Sequence, residues 1–502
     1  MPREYRKSVE IVAGYLGSLL IILGLILLVP LIYAIITGPL TGPGSMSLAF
    51  AVTSLLSLGA GGILRKLYGG RPPNATQAML VCAAGWLVLS AFGALPFVIG
   101  IDASYIDAYF ETMSGFTTTG ISMFTGLDQM PGSIILWRSV TQWVGGLGIL
   151  TFFLAVTARI PGAHLLFGAE SHKIDSERPV PGLVHTVKVL WGIYTVFTLL
   201  IIGLLMMAGV SLFDSVNHSF TALSTGGFSP YDASVGRFVG MPGVNHVMVE
   251  YVLIFGMILG GTNFLVLYRM LTGRLSSLWS TAEMRLWWIL LGGLTALVVL
   301  DHALLSTQAG GIGSIDEPSI RTSLFQTVSV ITTTGFGTAD LASPFFGQLA
   351  RQLFLLMMVI GGCVGSTGGG IKVQRVAILL RQARQQVRRL LIPGRASNPV
   401  VMDGTILDSG EVCRVSTIFF LWMVFLMIGG TVTALLSGLD GYSSFSGMFS
   451  AMGNIGPCFI TVEQMTTLSP VVKIVYIFGM LAGRLEILPV LLLFSRRAWR
   501  RW

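Results

Sequence analysis

Long uncharged stretches recur along the chain. Residues 11–64 contain no Asp, Glu, Lys or Arg, and neither do 72–101, 139–158, 189–213, 251–268, 352–371 and 415–439. A helix needs roughly 20 apolar residues to cross a bilayer. The first stretch is long enough for two crossings, with Gly38-Pro39-Leu40-Thr41-Gly42-Pro43-Gly44 as the turn between them. The shorter apolar stretch 286–300 and a final one near 470–494, which holds Arg484 and Glu486 in its interior, complete the set. The pattern predicts ten spans, near 11–37, 46–64, 76–101, 133–158, 188–212, 246–268, 286–306, 347–372, 415–437 and 470–494.

Apolar stretches that no crossing accounts for lie between these spans, and an internal repeat explains them. Four tetrapeptides share the form x-x-Gly-x: Thr118-Thr119-Gly120-Ile121, Thr225-Gly226-Gly227-Phe228, Thr333-Thr334-Gly335-Phe336 and Asn454-Ile455-Gly456-Pro457. Their glycines are spaced 107, 108 and 121 residues apart. Six residues before each glycine stands a small hydroxyl residue, Ser114, Thr221, Ser329 or Ser450. Thirteen before stand Asp107, Asp214, Thr322 and Ser443, all good helix N-caps. From cap to tetrapeptide each copy reads as a helix of roughly ten residues, about 15 Å or half a membrane. A half-span helix is tolerated at membrane depth only inside protein or beside a watery cavity. The predicted unit is therefore span, re-entrant half-helix, extended loop, span. The fold class is an all-α polytopic membrane protein with four such pseudo-repeats around one pore and two extra N-terminal spans.

Composition agrees: 53% of the 502 residues are hydrophobic, 11% are charged, and mean hydropathy is +0.78. Soluble proteins carry about 25% charged residues. With both termini in the cytoplasm, the basic residues gather on the inner side. Five of the Lys and Arg residues, Arg138, Arg237, Arg321, Arg351 and Lys473, fall outside, and Arg484 lies within a span. The net charge of +8 thus reports topology and contact with anionic lipid. No basic folded domain is available for nucleic acid. Cys82, Cys363, Cys413 and Cys458 are scattered, without metal spacing or a disulfide framework. The six histidines form no catalytic set, so the chain does not read as an enzyme.

The tetrapeptides suit a dehydrated cation. Rings of backbone carbonyls replace its water without burying fixed negative charge, and pointing successive carbonyls inward needs dihedrals that glycine adopts cheaply. Half-helix C-termini add partial negative charge, and flanking threonines add hydroxyls. No acidic ring is present, which favours potassium over calcium or sodium.

Further motifs carry a family resemblance: Gln142-Trp143-Val144-Gly145-Gly146-Leu147-Gly148, the run from Gly361 to Lys372, and Gly483-Arg484-Leu485-Glu486. With the tetrapeptides, they make nearly the whole chain resemble the Trk/Ktr/HKT superfamily of potassium transporters, most closely its TrkH branch. The resemblance implies potassium uptake across a cytoplasmic membrane, with potassium as the transported ligand and no covalent cofactor. It also implies a homodimer and a cytosolic nucleotide-binding regulatory subunit of the TrkA/KtrA kind. In this family, serine at the first-filter glycine accompanies sodium permeation; Gly120 is intact here. Sodium or mixed-cation permeation, or ion-coupled potassium symport, are alternatives on the same fold.

The run 361–372 packs six glycines into one span. Each costs a helix roughly 1 kcal/mol against alanine, so the expectation is an intramembrane loop. Small residues also serve close helix packing. The P-loop spacing from Gly365 to Gly370 lacks its lysine, since Ile371 follows. The family resemblance makes Gly365, Ser366, Thr367, Gly368, Gly369, Gly370, Lys372 and Arg484 gating residues. Intramembrane charge is costly and usually functional; Arg484 reads as a barrier to cations below the filter or as an ion-pair partner of Glu486. Glu111 and His218 read as hydrogen-bonding partners within the half-helices. The expected divisions are 1–71, 72–187, 188–282, 283–411 and 412–502.

Overall fold

The computed structural model describes residues 3–38, 45–69, 73–159, 183–308, 315–391 and 398–500. The turn expected over 38–44 and most of the inner loop 159–188 lie outside these residues.

Three N-terminal helices come first: α1 (Arg3–Ile26), α2 (Leu28–Thr37) and α3 (Met46–Tyr68). α1 and α3 approach through small residues; a methyl on Gly17 would lie 2.8 Å from the Gly61 carbonyl oxygen. The first repeat has α4 (Ala75–Gly93), α5 (Leu95–Ile101), half-helix α6 (Tyr105–Phe116) and α7 (Gly132–Arg159). The second has α8 (Leu183–Met207), half-helix α9 (Leu212–Leu223), α10 (His246–Gly261) and α11 (Phe264–Leu271), followed by the short α12 (Ser277–Ser280). The third has α13 (Ala282–Gln308), half-helix α14 (Glu317–Ile331), α15 (Gln348–Val359) and α16 (Val373–Arg389). A two-stranded hairpin, β1 (Val401–Met402) and β2 (Thr405–Ile406), leads to the fourth. That repeat has α17 (Ser409–Ser437), half-helix α18 (Gly441–Gly453), α19 (Val462–Thr466), α20 (Pro470–Leu485) and α21 (Ile487–Phe494).

Nine of the ten expected spans fall on a helix or a broken helix pair; the one expected at 347–372 is helical only over α15, and its second half is the glycine loop. Six described helices or continuous pairs are long and apolar enough to cross a membrane. The protein is thus a multi-pass membrane protein. Three spans are interrupted. α10 and α11 meet at 109°, where Gly260 and Gly261 end one helix and Asn263 caps the next, accepting from Leu265 N–H at 2.8 Å. α15 stops at Val359, before the glycine run. α20 ends at Leu485, and Glu486 after it takes a positive φ of 58°.

The half-helices contain 12, 12, 15 and 13 residues. Their caps correct the sequence expectation. Ser104, Ser211 and Asp440 cap α6, α9 and α18, accepting from the amides of Asp107, Asp214 and Ser443. Those three residues are therefore the third residues of their helices, in the first turn, donating their amides to the caps. Asp107 and Asp214 accept in return from the Ser104 and Ser211 hydroxyls at 2.6 and 2.7 Å. α14 begins earlier, at Asp316, leaving Thr322 inside the helix. At the exposed caps Asp316 and Asp440, hydrogen bonds from Ser319 and Ser443 hold the carboxyls below their usual range.

Buried apolar residues form two main bodies. One joins repeats 2 and 3 through residues such as Tyr194, Trp287 and Phe325. The other joins the N-terminal helices to repeats 1 and 4 through Phe50, Trp137 and Tyr476. The tetrapeptides lie where the repeats converge.

Candidate functional site

Each tetrapeptide leaves its half-helix by the same path. The residue two before the glycine takes left-handed φ: Thr118 (53°), Thr225 (53°), Thr333 (58°) and Asn454 (53°). The glycine does the same: Gly120 (83°), Gly227 (75°), Gly335 (88°) and Gly456 (104°). The intervening residue does not. Three threonines in that conformation pay for it in strain, and the sequence offered no signal of it.

The amides are tied back to the half-helices. In order, Thr119, Gly226, Thr334 and Ile455 donate N–H to the carbonyls of Ser114, Thr221, Ser329 and Ser450, at 2.8, 2.8, 2.9 and 3.1 Å. The four hydroxyl residues picked out by the sequence thus occupy one structural position. Their hydroxyls diverge: Ser450 Oγ accepts from Gly456 N–H at 3.1 Å, while Ser329 Oγ donates to Phe336 O at 2.6 Å.

The four segments close into a ring. A methyl on Gly120 would lie 2.2 Å from the Gly226 carbonyl oxygen, one on Gly227 2.0 Å from that of Thr334, one on Gly335 1.9 Å from that of Ile455, and one on Gly456 3.0 Å from that of Thr119. Each glycine therefore abuts the carbonyl before the glycine of the next repeat, and the fourth returns to the first. All four glycines line one cavity of about 430 Å³.

Three groups brace the ring, and the sequence reading missed two of them. Gln142 Nε2 donates to Gly226 O at 2.7 Å, and its Oε1 accepts from Phe228 N–H at 3.0 Å. A side chain at Gly226 would collide with Gln142, its Cβ 2.3 Å from the amide carbon, so this second glycine answers to space. Arg138 pairs with Glu111 at 2.8 Å, both fully buried, and donates to Ser229 O at 2.9 Å. Its guanidinium lies 4.1 Å from the Phe228 ring centroid. Glu111 also accepts from Met123 N–H at 2.7 Å, as its expected bracing role requires. His218 contacts Asp214 O at 2.9 Å and Ser229 Oγ at 3.4 Å. A glutamine and an arginine within apolar spans were the available signals for the two missed residues.

The glycine run forms a buried loop between α15 and α16. Its neck is closed by Gly361 N–H to Ile371 O (2.9 Å), Ile371 N–H to Val359 O (3.1 Å) and Val373 N–H to Gly362 O (3.2 Å). It docks on the broken span of repeat 2, with Cys363 N–H to Gly261 O at 2.9 Å and Thr367 N–H to Gly260 O at 3.1 Å. Phe264 N–H reaches back to Gly365 O at 3.2 Å. Thr367 Oγ1 donates to Leu223 O at 2.9 Å, and Ser366 Oγ to Cys363 O at 2.6 Å. Gly369 N–H donates to Thr333 Oγ1 at 2.8 Å, directly under the ring. A methyl on Gly368 would lie 3.2 Å from Thr333 Oγ1. Gly370 takes φ 66°, and the buried Lys372 ammonium donates to Gly368 O. Arg484 is buried and donates to carbonyls: Thr367 O in the loop, and Gly145 O (3.2 Å) and Gly146 O (3.3 Å) in α7. Glu486, the alternative ion-pair partner offered for Arg484, pairs with Arg375. Among the described residues, no group of three or more His, Cys, Asp or Glu is placed to hold a metal ion, and the four cysteines are unpaired.

Residues 45–500 match the family described as TrkH, cation transport protein. The Trk system potassium uptake protein TrkH of Escherichia coli K12 is 32% identical over 492 residues, covering 94% of this chain and 98% of its own. The protein of that name from Halomonas elongata is 30% identical, covering 98% and 100%. The crystal structure of the potassium transporter TrkH from Vibrio parahaemolyticus superposes with TM-score 0.84 at 28% identity, covering 98% of this chain and 99% of that one. These relatives are named as uptake and transport proteins.

Proposed function

This chain belongs to the TrkH family of cation transport proteins, and from that premise we propose that it takes up potassium across the cytoplasmic membrane through the four-segment ring. The observation that carries the reading is the closed circuit of glycines and carbonyls contributed by all four repeats. Amides bound behind and alternating left-handed residues supply the carbonyl ligands that a dehydrated cation needs. Thr118, Thr119, Gly120, Thr225, Gly226, Gly227, Thr333, Thr334, Gly335, Asn454, Ile455 and Gly456 form this filter. The names of the relatives support potassium as the cargo.

The loop from Gly365 to Gly370, with Lys372, is the gate. Its docking under Thr333 supports that role. Arg484 acts twice, as a positive charge on the ion's path and as a tie between loop and α7. Both termini are cytoplasmic, as the distribution of basic residues supports. A second copy and a cytosolic nucleotide-binding subunit complete the assembly, on the family resemblance. The divisions 1–71, 72–187, 188–282, 283–411 and 412–502 follow the repeats.

Flux into proteoliposomes with ion substitution tests the reading. Potassium passes, sodium passes less, and choline is excluded. Equal passage of sodium would favour a mixed-cation pathway, and movement of potassium only with a proton or sodium gradient would favour symport.

A further inference from the structure

The glycine loop is held from two helices, α13 and α16. Glu283, the second residue of α13, is buried and accepts Val364 N–H at 2.7 Å. Lys372, the residue before α16, donates to Gly368 O. The hairpin β1–β2 sits against the same two helices. Asp403 and Gly404 form its two-residue turn, with φ of 48° and 81°. Positive φ at both positions matches the twist of the paired strands, which makes Asp-Gly a favoured turn. Asp403 Oδ1 accepts Ala282 N–H at 2.8 Å, one residue before Glu283. Arg285, in the same turn of α13, lies 3.8 Å from that oxygen. Met402 is buried in one cluster with Ala282, with Ala377 and Ile378 of α16, and with Val415 of α17. Gly404, Thr405 and Ile406, on the far side of the hairpin, are exposed.

A two-stranded hairpin this short is marginal in water by itself. Here a buried methionine fixes it, and its turn satisfies the first amide of α13, which has no partner within the helix. The positions of the hairpin and of the first turn of α13 are therefore set together. From the next residue along, Glu283 reaches the loop with a carboxylate-to-amide bond, roughly twice as strong as a neutral one. We propose that the hairpin is the cytoplasmic handle of the gate, and that Glu283 is the positioning residue through which it holds the loop at Val364. This rests on the gating and orientation readings above and adds where, outside the pore, the gate is held. Displacing the hairpin frees the Ala282 amide, lets the first turn of α13 fray and loosens the Glu283 carboxylate from Val364. Thr333 and Arg484 hold the loop from the pore side; the hairpin holds it from the cytoplasm.

Cys363 precedes Val364 and is fully buried, so its labelling reports the tether. The test uses full-length protein in liposomes with Cys82, Cys413 and Cys458 changed to serine, and a membrane-permeant maleimide. Potassium flux per inserted molecule is measured on the same vesicles. Glu283→Ala is expected to raise the labelling rate and the flux about tenfold, the value of one hydrogen bond to a charged group. Glu283→Gln, which keeps an acceptor oxygen, falls between Glu283→Ala and the parent. Asp403→Ala raises both rates, although Asp403 touches no residue of the loop. In the double variant, Asp403→Ala adds nothing to Glu283→Ala, because both act on one linkage. Labelling at the parent's rate in either single variant overturns the proposal, even where less protein is inserted, since a merely structural role lowers the yield alone. A double variant whose effect is the product of the two single effects overturns it as well. Faster labelling with unchanged flux supports the tether and counts against the gating reading on which it rests.

Discussion

Replacing the four ring glycines by alanine, one at a time, probes the geometry with a built-in gradient. All four have positive φ, so each alanine carries backbone strain of about 1–2 kcal/mol. Steric overlap separates them. The new Cβ would lie 1.9 Å from the next repeat's carbonyl oxygen at Gly335, 2.0 Å at Gly227 and 2.2 Å at Gly120, against 3.0 Å at Gly456. At the first three the neighbouring carbonyl must retreat by roughly 1 Å, and in a close-packed interior it has no free space to retreat into. A misplaced carbonyl no longer discriminates ions by its fixed position. A loss of about 1.4 kcal/mol of discrimination is tenfold. Gly335→Ala, Gly227→Ala and Gly120→Ala are therefore expected to reduce potassium-over-sodium permeability by at least about tenfold, and Gly456→Ala by less. Gly120→Ser should behave like Gly120→Ala, with a hydroxyl added for the smaller ion. Relative permeability from reversal potentials in planar bilayers is the assay, normalised to inserted protein. If Gly456→Ala proved as damaging as Gly335→Ala, or Gly120→Ala left the ratio unchanged, the ring would not be the discriminating element.

Four further outcomes follow from the same geometry. Arg484→Ala, which removes a permanent charge and the tie to Thr367, should raise potassium flux per inserted molecule, while Arg484→Lys should retain most of the barrier. Equal flux per molecule in the parent and both variants, with less folded Arg484→Ala, would leave the arginine a packing residue. Deleting Gly368, Gly369 and Gly370 should raise basal flux; loss of flux in a folded, inserted protein would place the gate elsewhere. Gln142→Leu removes both braces of the second segment, and its effect should appear in selectivity before it appears in the thermal unfolding midpoint. Glu111→Gln unbalances a fully buried ion pair, and breaking such pairs costs about 3–5 kcal/mol; thermal unfolding in detergent should show the loss, with the double change Glu111→Leu and Arg138→Met recovering part of it.

Hydropathy made the spans legible because bilayer thickness fixes their length, and the repeat made the half-helices legible because four copies carry one register. Ser114, Thr221, Ser329 and Ser450 were found by that register alone, although their shared role is a carbonyl and not the hydroxyl that made them conspicuous. The sequence register points three residues past the true caps in three repeats because Asp107, Asp214 and Ser443, themselves good caps, stand one turn inside them. Asp316 was hidden by an extra turn of α14. Nothing local marks Thr118 as left-handed, because its conformation is imposed by packing within the ring. The roles of Gln142 and Arg138 depend on partners 84 and 91 residues away. Arg484 was conspicuous as a charge, yet its backbone carbonyl partners have no sequence signature.

Anomalous diffraction from crystals grown in rubidium or thallium tests most directly whether ions pass between the four segments. The account predicts peaks on the ring axis, bounded by the carbonyls of Thr119, Gly226, Thr334 and Ile455. Ion density elsewhere in a protein that still transports potassium, with none inside the ring, would contradict it.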